Sequence, residues 1–149
     1  YYINHIGTFL KECSRVLRKN GILLISSANK DLYDFNPSPY SVTYYGVIEL
    51  KELLKDHNYQ TKFYGYKSIS NVSLIQKISR PVKAAVVRLN LMPKSMEGKK
   101  LLKKLIFGEL KKMPSELKLD DYTYVEPDEL EGDKIDTIHK VIYCRALKE

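Results

Sequence analysis

The feature that most constrains this sequence is a helix that stops at an Asn-Gly pair and runs straight into an aliphatic strand. Ile6, Phe9, Leu10, Cys13, Val16 and Leu17 recur at helical spacing and share one face. Lys11, Glu12, Arg15 and Arg18 lie off that face, and Arg18 and Lys19 suit the negative end of the helix dipole. Asn20-Gly21 supplies a left-handed stop. Ile22-Leu23-Leu24-Ile25 follows at once, bounded by Ser26-Ser27. A short unbroken aliphatic run predicts a strand buried on both faces. Helix, turn and buried strand together make the αβ half of a doubly wound sheet.

Downstream, residues 28–45 read as a long loop with two prolines and four tyrosines, Tyr33, Tyr40, Tyr44 and Tyr45. Loops of this length in compact domains are often functional, and this one leaves the C-terminal end of a presumed parallel strand, where open α/β sheets bind ligands. A second helix is predicted from Val47 to about Asp56, with Leu50, Leu53 and Leu54 inward. Gly46 serves as its N-cap, Glu49 as half of a capping box, and Asn58 as its stop. Thr61 to Tyr66 alternates as a strand. From about 67 to 118 a helical insert is expected. One helix runs from Leu74 to Leu89, kinked or broken at Pro81, and another from Leu102 to Met113 ends before Pro114. An acidic linker follows, and Ile138 to Leu147 reads as a last strand. Three strands with an aliphatic edge need more sheet beside them. The chain also starts at Tyr1 rather than Met. Residues 1–149 are therefore expected to form a single partial domain, with a missing upstream part or a second chain at the edge.

Charge is uneven. The formal net charge is +7, yet residues 67–118 hold thirteen Lys and Arg against three Glu, and residues 119–136 hold eight acids against one Lys. The basicity belongs to the insert, where Lys99, Lys100, Lys103, Lys104, Lys111 and Lys112 mark the polar side of the second helix. A solvated Lys face explains this run, and an anionic glycolipid, membrane surface or nucleic acid would also meet it. No recognised nucleic-acid motif is present, so no nucleic-acid partner is expected. No apolar run approaches the roughly 20 residues of a bilayer span. Cys13 and Cys144 are far apart and sit in apolar patterns, as reduced thiols of a cytoplasmic protein would.

The stretch from Phe9 to Lys30 resembles class I S-adenosylmethionine-dependent methyltransferases. In that family a helix of the form "fl-E-x-x-R-V-L-K-P-G-G" leads into the fifth strand, which often ends in "S-T-P-N". Here Leu17-Arg18-Lys19-Asn20-Gly21 and Ser26-Ser27-Ala28-Asn29 stand in those places. Tyr45 to Leu54 looks like the family's "Y-S-x-x-E-L-x-x-L-L" helix, and Ile138 to Lys148 like its antiparallel last strand. The resemblance covers about residues 1–66 and 138–148. It implies a Rossmann-like α/β fold of which only the C-terminal half is present, strands five, six and seven, plus a helical insert. Within the family the chain is nearest to polysaccharide- and ubiquinone-type O-methyltransferases, the former sharing an Asn-Pro and aromatic loop like Asn36-Pro37-Ser38-Pro39-Tyr40.

The family's methyl-donor motifs, a Gly-rich loop after the first strand and an acid ending the second, lie upstream. The glycines at 7, 21, 46, 65, 98, 108 and 132 form no G-x-G. The resemblance thus implies an S-adenosylmethionine-using parent and a chain that alone lacks donor binding and is inactive. At the start, Tyr1 to Ile6 occupies the place where many relatives read "E-x-x-E-H-[VI]", acids and His linked in ubiquinone-type enzymes to a divalent metal. Tyr1 and Asn4 replace the acids, one imidazole cannot hold a hard cation, and no metal is expected.

His5 is the candidate catalytic base toward an acceptor hydroxyl, against a plain helix-start role. Asn29, Asn36, Tyr40, Tyr44 and Tyr45 are the candidate acceptor-binding residues, since sugars stack on aromatic rings, against simple anchoring of the loop. The insert reads as a lid or acceptor wall. Expected function is O-methylation of a glycan or small-molecule hydroxyl by in-line transfer, with alignment supplying much of the rate. The alternative is a non-catalytic methyltransferase-like module that forms a homodimer through its open sheet edge and binds an anionic partner.

Overall fold

The computed structural model describes residues 1–70 and 123–149, and between them positions 81, 82, 84, 85, 88, 89, 95, 97, 98, 100, 101, 104, 115 and 116. The chain divides into two units, one built from Tyr1–Val72 and Pro127–Glu149, the other from Ser73–Glu126. Within the second unit Leu89 N donates to Ala85 O at 2.9 Å. The remaining expectations for the basic insert, including the break at Pro81 and the helix to Met113, fall largely outside the described residues.

The first unit is a small α/β domain with two helices and a four-stranded antiparallel sheet. Its elements are α1 (Ile6–Val16), β1 (Ile22–Ala28), α2 (Val47–Lys55), β2 (Tyr59–Ser68), β3 (Asp128–Leu130) and β4 (His139–Lys148), and the strand order is β1-β4-β2-β3. The last strand therefore lies inside the sheet, antiparallel to β1 on one side and to β2 on the other.

The core follows from the pleat. Leu23, Ile25 and Ser27 of β1 pair with Ala146, Cys144 and Ile142 of β4, and Phe63 of β2 pairs with Cys144. Successive side chains alternate faces, so these share one face of the sheet. There Phe63, Ile142 and Cys144 are about 1% exposed and Ala146 is fully buried, packed with Leu10 of α1 and Val47, Leu50 and Leu54 of α2. Burial raises the Cys144 thiol to about 12. Cys13 is also a free thiol, but half-buried. The opposite face carries Leu24, Tyr64, Tyr143 and Arg145 around an open hollow of about 410 Å³.

Helix ends are closed as their residues dictate. Leu17 leaves the helical region, and Asn20 takes φ 62°, the left-handed conformation the Asn-Gly pair predicts. The carbonyls of Ser14 and of the C-cap Leu17 accept from the Lys148 ammonium, at 2.7 Å for Leu17, so β4 brings a cation to this end of α1. At α2, the Gly46 N–H donates to Glu49 at 3.0 Å, the expected half of a capping box. Glu49 also accepts from Lys30 at 2.5 Å; that bond, then the one from Gly46, hold its carboxyl below the usual range. Glu49→Ala removes both bonds. It is expected to lower stability by about 1 kcal/mol, read by urea unfolding.

Four sequence expectations change. β1 is not buried on both faces: Leu24 is 76% exposed, because among the described residues the helices cover only one face. Phe9 and Val16, expected on the inward face of α1, are 41% and 68% exposed, while Leu10 of the same helix is fully buried in the core, so the covered stripe of α1 is narrower than its apolar face. The acidic linker contains β3, which pairs Asp128, Glu129 and Leu130 with Gly65, Tyr64 and Phe63. Finally, Lys67 and Ser68 belong to β2 rather than to an insert.

Candidate functional site

β1 ends the sheet among the described residues, and the phase of its ladder shows what it leaves unpaired. Lys148 N donates to Gly21 O at 2.9 Å and Asn29 N to Lys140 O at 3.0 Å, bracketing the β1–β4 pair. Hydrogen-bonded positions alternate along an antiparallel ladder, so Leu23, Ile25 and Ser27 turn their backbone groups to β4. Ile22, Leu24, Ser26 and Ala28 turn theirs outward, with no charged side chain in Ile22–Ala28 to shield them.

Beside this edge lies an apolar cleft of about 260 Å³. Ile6, Phe9 and Leu10 reach it from α1, and Leu23 to Ser27 from β1. Tyr1, Thr43 and Tyr45 bring the start of the chain and the end of the long loop to the same place. Its polar groups are hydroxyls, those of Ser26, Ser27, Thr43 and the tyrosines. The loop is fixed by aromatic packing. Tyr44 stacks on Tyr1 with ring centres 4.7 Å apart and meets Phe35 edge-on at 4.8 Å, and Val42 N donates to Tyr1 O at 2.8 Å.

The predicted site residues separate into groups. Tyr45 lines the cleft, and Tyr44 joins the aromatic cluster that holds its rim. Tyr40 is 75% exposed and Asn36 half-buried, neither of them lining the cleft. His5 is exposed as the residue before α1; its side chain makes no capping bond, while its carbonyl accepts from Phe9 N at 3.1 Å. Asn29, by contrast, is 1% exposed and fully engaged inside the protein.

Asn29 belongs to a buried clasp that sequence reading does not reveal. Its amide nitrogen lies 2.7 Å from the Asp136 carbonyl, 2.8 Å from the Asp136 carboxylate and 2.8 Å from the His139 carbonyl. Its carbonyl accepts from Asp31 N at 3.0 Å. The His139 ring sits between two carboxylates, Nδ1 at 3.0 Å from Asp136 and Nε2 at 2.9 Å from Asp128. His139 N and Ile138 N also donate to Asp136. Burial alone would push the His139 ring down, but the bonds to Asp128 and Asp136 outweigh it and hold the imidazole above its ordinary range. Gly65 on β2 makes room for the ring: a Cβ there would lie 2.3 Å from His139 Cγ. Nearby, burial raises the Asp31 carboxyl; Lys30 opposes that, and Glu49 and Asp136 add to it.

Among the described residues no group of three or more His, Cys, Asp or Glu is arranged to hold a metal ion, and no helix is long and apolar enough to cross a membrane. Comparison with protein-family models, curated proteins and solved structures finds no match to this chain.

Proposed function

We propose that this chain is the C-terminal part of a class I S-adenosylmethionine-dependent methyltransferase with a Rossmann-like fold, acting on a hydroxyl of a glycan or small molecule. The observation that carries the reading is the sheet: its last strand runs antiparallel between β1 and β2, while the outer edge of β1, unpaired among the described residues, opens beside a cleft walled by the aromatic loop. The resembling segments support it by where they fall. Phe9 to Lys30 spans α1, its Asn-Gly turn and β1, and Tyr45 to Leu54 spans the capped α2.

The residues around the cleft do not fit the methyl donor itself. A ribose needs a carboxylate for its hydroxyls, and the cleft is lined by aliphatic, aromatic and hydroxyl side chains. In this reading the chain supplies the acceptor side. Tyr45, with Tyr44 behind it, offers ring surface and hydroxyls to a sugar, and His5 at the head of α1 is the base for an acceptor hydroxyl. The outward backbone of β1 receives the donor-binding part of the sheet. That same edge favours a second reading, a non-catalytic module that pairs with another copy.

Calorimetry of residues 1–149 with S-adenosylhomocysteine is expected to show no heat of binding, and micromolar affinity overturns the missing donor site. Genomic sequence directly before Tyr1 is expected to encode a strand, a Gly-rich loop and a helix. An upstream region without them overturns the methyltransferase reading.

A further inference from the structure

The His139 clasp ties together three parts of the chain that are distant in sequence. Asn29 follows β1, Asp128 opens β3, and Asp136 and His139 lead into β4. The ring faces Asp136 from its own segment, Asp128 from β3 and the uncharged Gly65 from β2; Asp31, beyond Asn29, acts on Asp136 from the long loop. Both ring nitrogens face carboxylate oxygens, so both donate only when the imidazole carries its second proton. A neutral ring has one N–H, and the other nitrogen then turns a lone pair on a carboxylate.

The two carboxylates are not equivalent. The Asp136 side chain is 6% exposed and accepts from Asn29, Ile138 N and His139 N besides the ring. It cannot leave without stripping buried donors. The Asp128 side chain is 70% exposed, and its bond among the described residues is to His139 Nε2. β3 itself is three residues long and among the described residues pairs with Phe63, Tyr64 and Gly65 alone. Loss of the proton therefore has a cheap outlet on one side only.

We propose that His139 is a pH-operated latch on β3. Doubly protonated, the ring pins Asp128 and with it the point where the chain re-enters the sheet; singly protonated, it keeps the Nδ1–H bond to Asp136 and releases Asp128. The acid form is the closed one. Because the folded ring binds its proton more tightly than a free imidazole, stability tied to the clasp is complete below the ordinary value of about 6.5 and is lost as pH rises through the higher folded value.

Nitrogen-15 NMR of the His139 ring and amide hydrogen exchange at Asp128 and Leu130, followed from pH 6 to pH 9 on residues 1–149, test this directly. Nε2 is expected to lose its proton while Nδ1 keeps it. In the same interval the β3 amides are expected to lose about tenfold in protection, corrected for the intrinsic base-catalysed rate, as loss of a charge-assisted bond implies. The ladder amides of Leu23, Ile25 and Ser27 in β1, those of α2 and those at the centre of β4 stay protected. Asp128→Asn, which cannot make the ionic contact, is expected to make β3 protection independent of pH and to lower the pH at which the ring titrates. A ring that loses its Nδ1 proton first overturns the latch, as does β3 protection that is flat with pH in the unmodified chain or equally pH-dependent in Asp128→Asn.

Discussion

Residues 1–149 will sediment as more than a monomer at micromolar concentration, and Ser26→Pro will return them to a monomer without unfolding the sheet. The outward backbone groups of Ile22, Leu24, Ser26 and Ala28 form a strand template with no charge, proline or bulge to blunt it. Apolar surface flanks it, with Leu24 76%, Ile22 46% and Phe9 41% exposed. Pairing a second strand satisfies the backbone and covers that surface together. Proline at position 26 removes an N–H that points away from β4, so the β1–β4 ladder keeps its bonds while the edge loses a donor and gains a ring. Serine at position 27 is the control, since Ser27→Pro removes a ladder bond and should destabilise the domain. Sedimentation velocity decides it. A monomer at every concentration overturns the expectation, and so does Ser26→Pro that associates as strongly as the parent.

Gly65→Ala is the second large effect. Its Cβ would lie 2.3, 2.4 and 2.8 Å from His139 Cγ, Nδ1 and Cδ2. The ring cannot step aside, because both nitrogens are engaged and β4 fixes its backbone. Expelling it leaves Asp136 buried with one partner fewer. Overpacking of this kind costs about 1–3 kcal/mol, and breaking a buried charged pair about 3–5. A loss of at least about 3 kcal/mol is therefore expected in urea unfolding, a large part of a typical domain's stability. Gly132→Ala is the comparison: its Cβ would meet Phe63 Cδ2 at 3.3 Å, a contact that a small ring shift relieves. A Gly65→Ala protein within about 0.5 kcal/mol of the parent would show that the ring is not held.

What could be read from sequence was local in origin. The period of Ile6, Leu10 and Leu17 marks α1, Asn20 and Asn58 both take the positive φ expected of helix stops, and Glu49 closes on Gly46. β1, β2 and β4 appear where aliphatic or alternating runs place them, each a few residues longer or shifted by one. The misses were long-range. Nothing about Asp-Glu-Leu predicts β3, since only the neighbouring Phe63–Gly65 makes it a strand. The clasp joins Asn29 to Asp136 across 107 positions, so no window along the chain contains it. One signal was available: the antiparallel register that sets Ala28 beside Val141 also brings Asn29 to the start of β4. The cleft was legible only as its aromatic loop, and of the residues assigned to it Tyr45 arrives there while Asn29 is built into the clasp.

The place of β4 also dictates an order of events during synthesis. Ile22 pairs with Leu147, and Tyr59 with Lys148, so each long ladder waits for the final stretch of these residues. β1 and β2 emerge from the ribosome much earlier and are not neighbours in the sheet, so neither can shelter the other. A nascent chain halted before His139 lacks the partner of both long strands; β2 has the three-residue β3 beside it, and the face that Phe63 shares with Cys144 and Ala146 is still uncovered by β4. Translation must deliver β4 before β1 and β2 are joined in one sheet, and until then this polypeptide is a client for whatever binds exposed apolar chain.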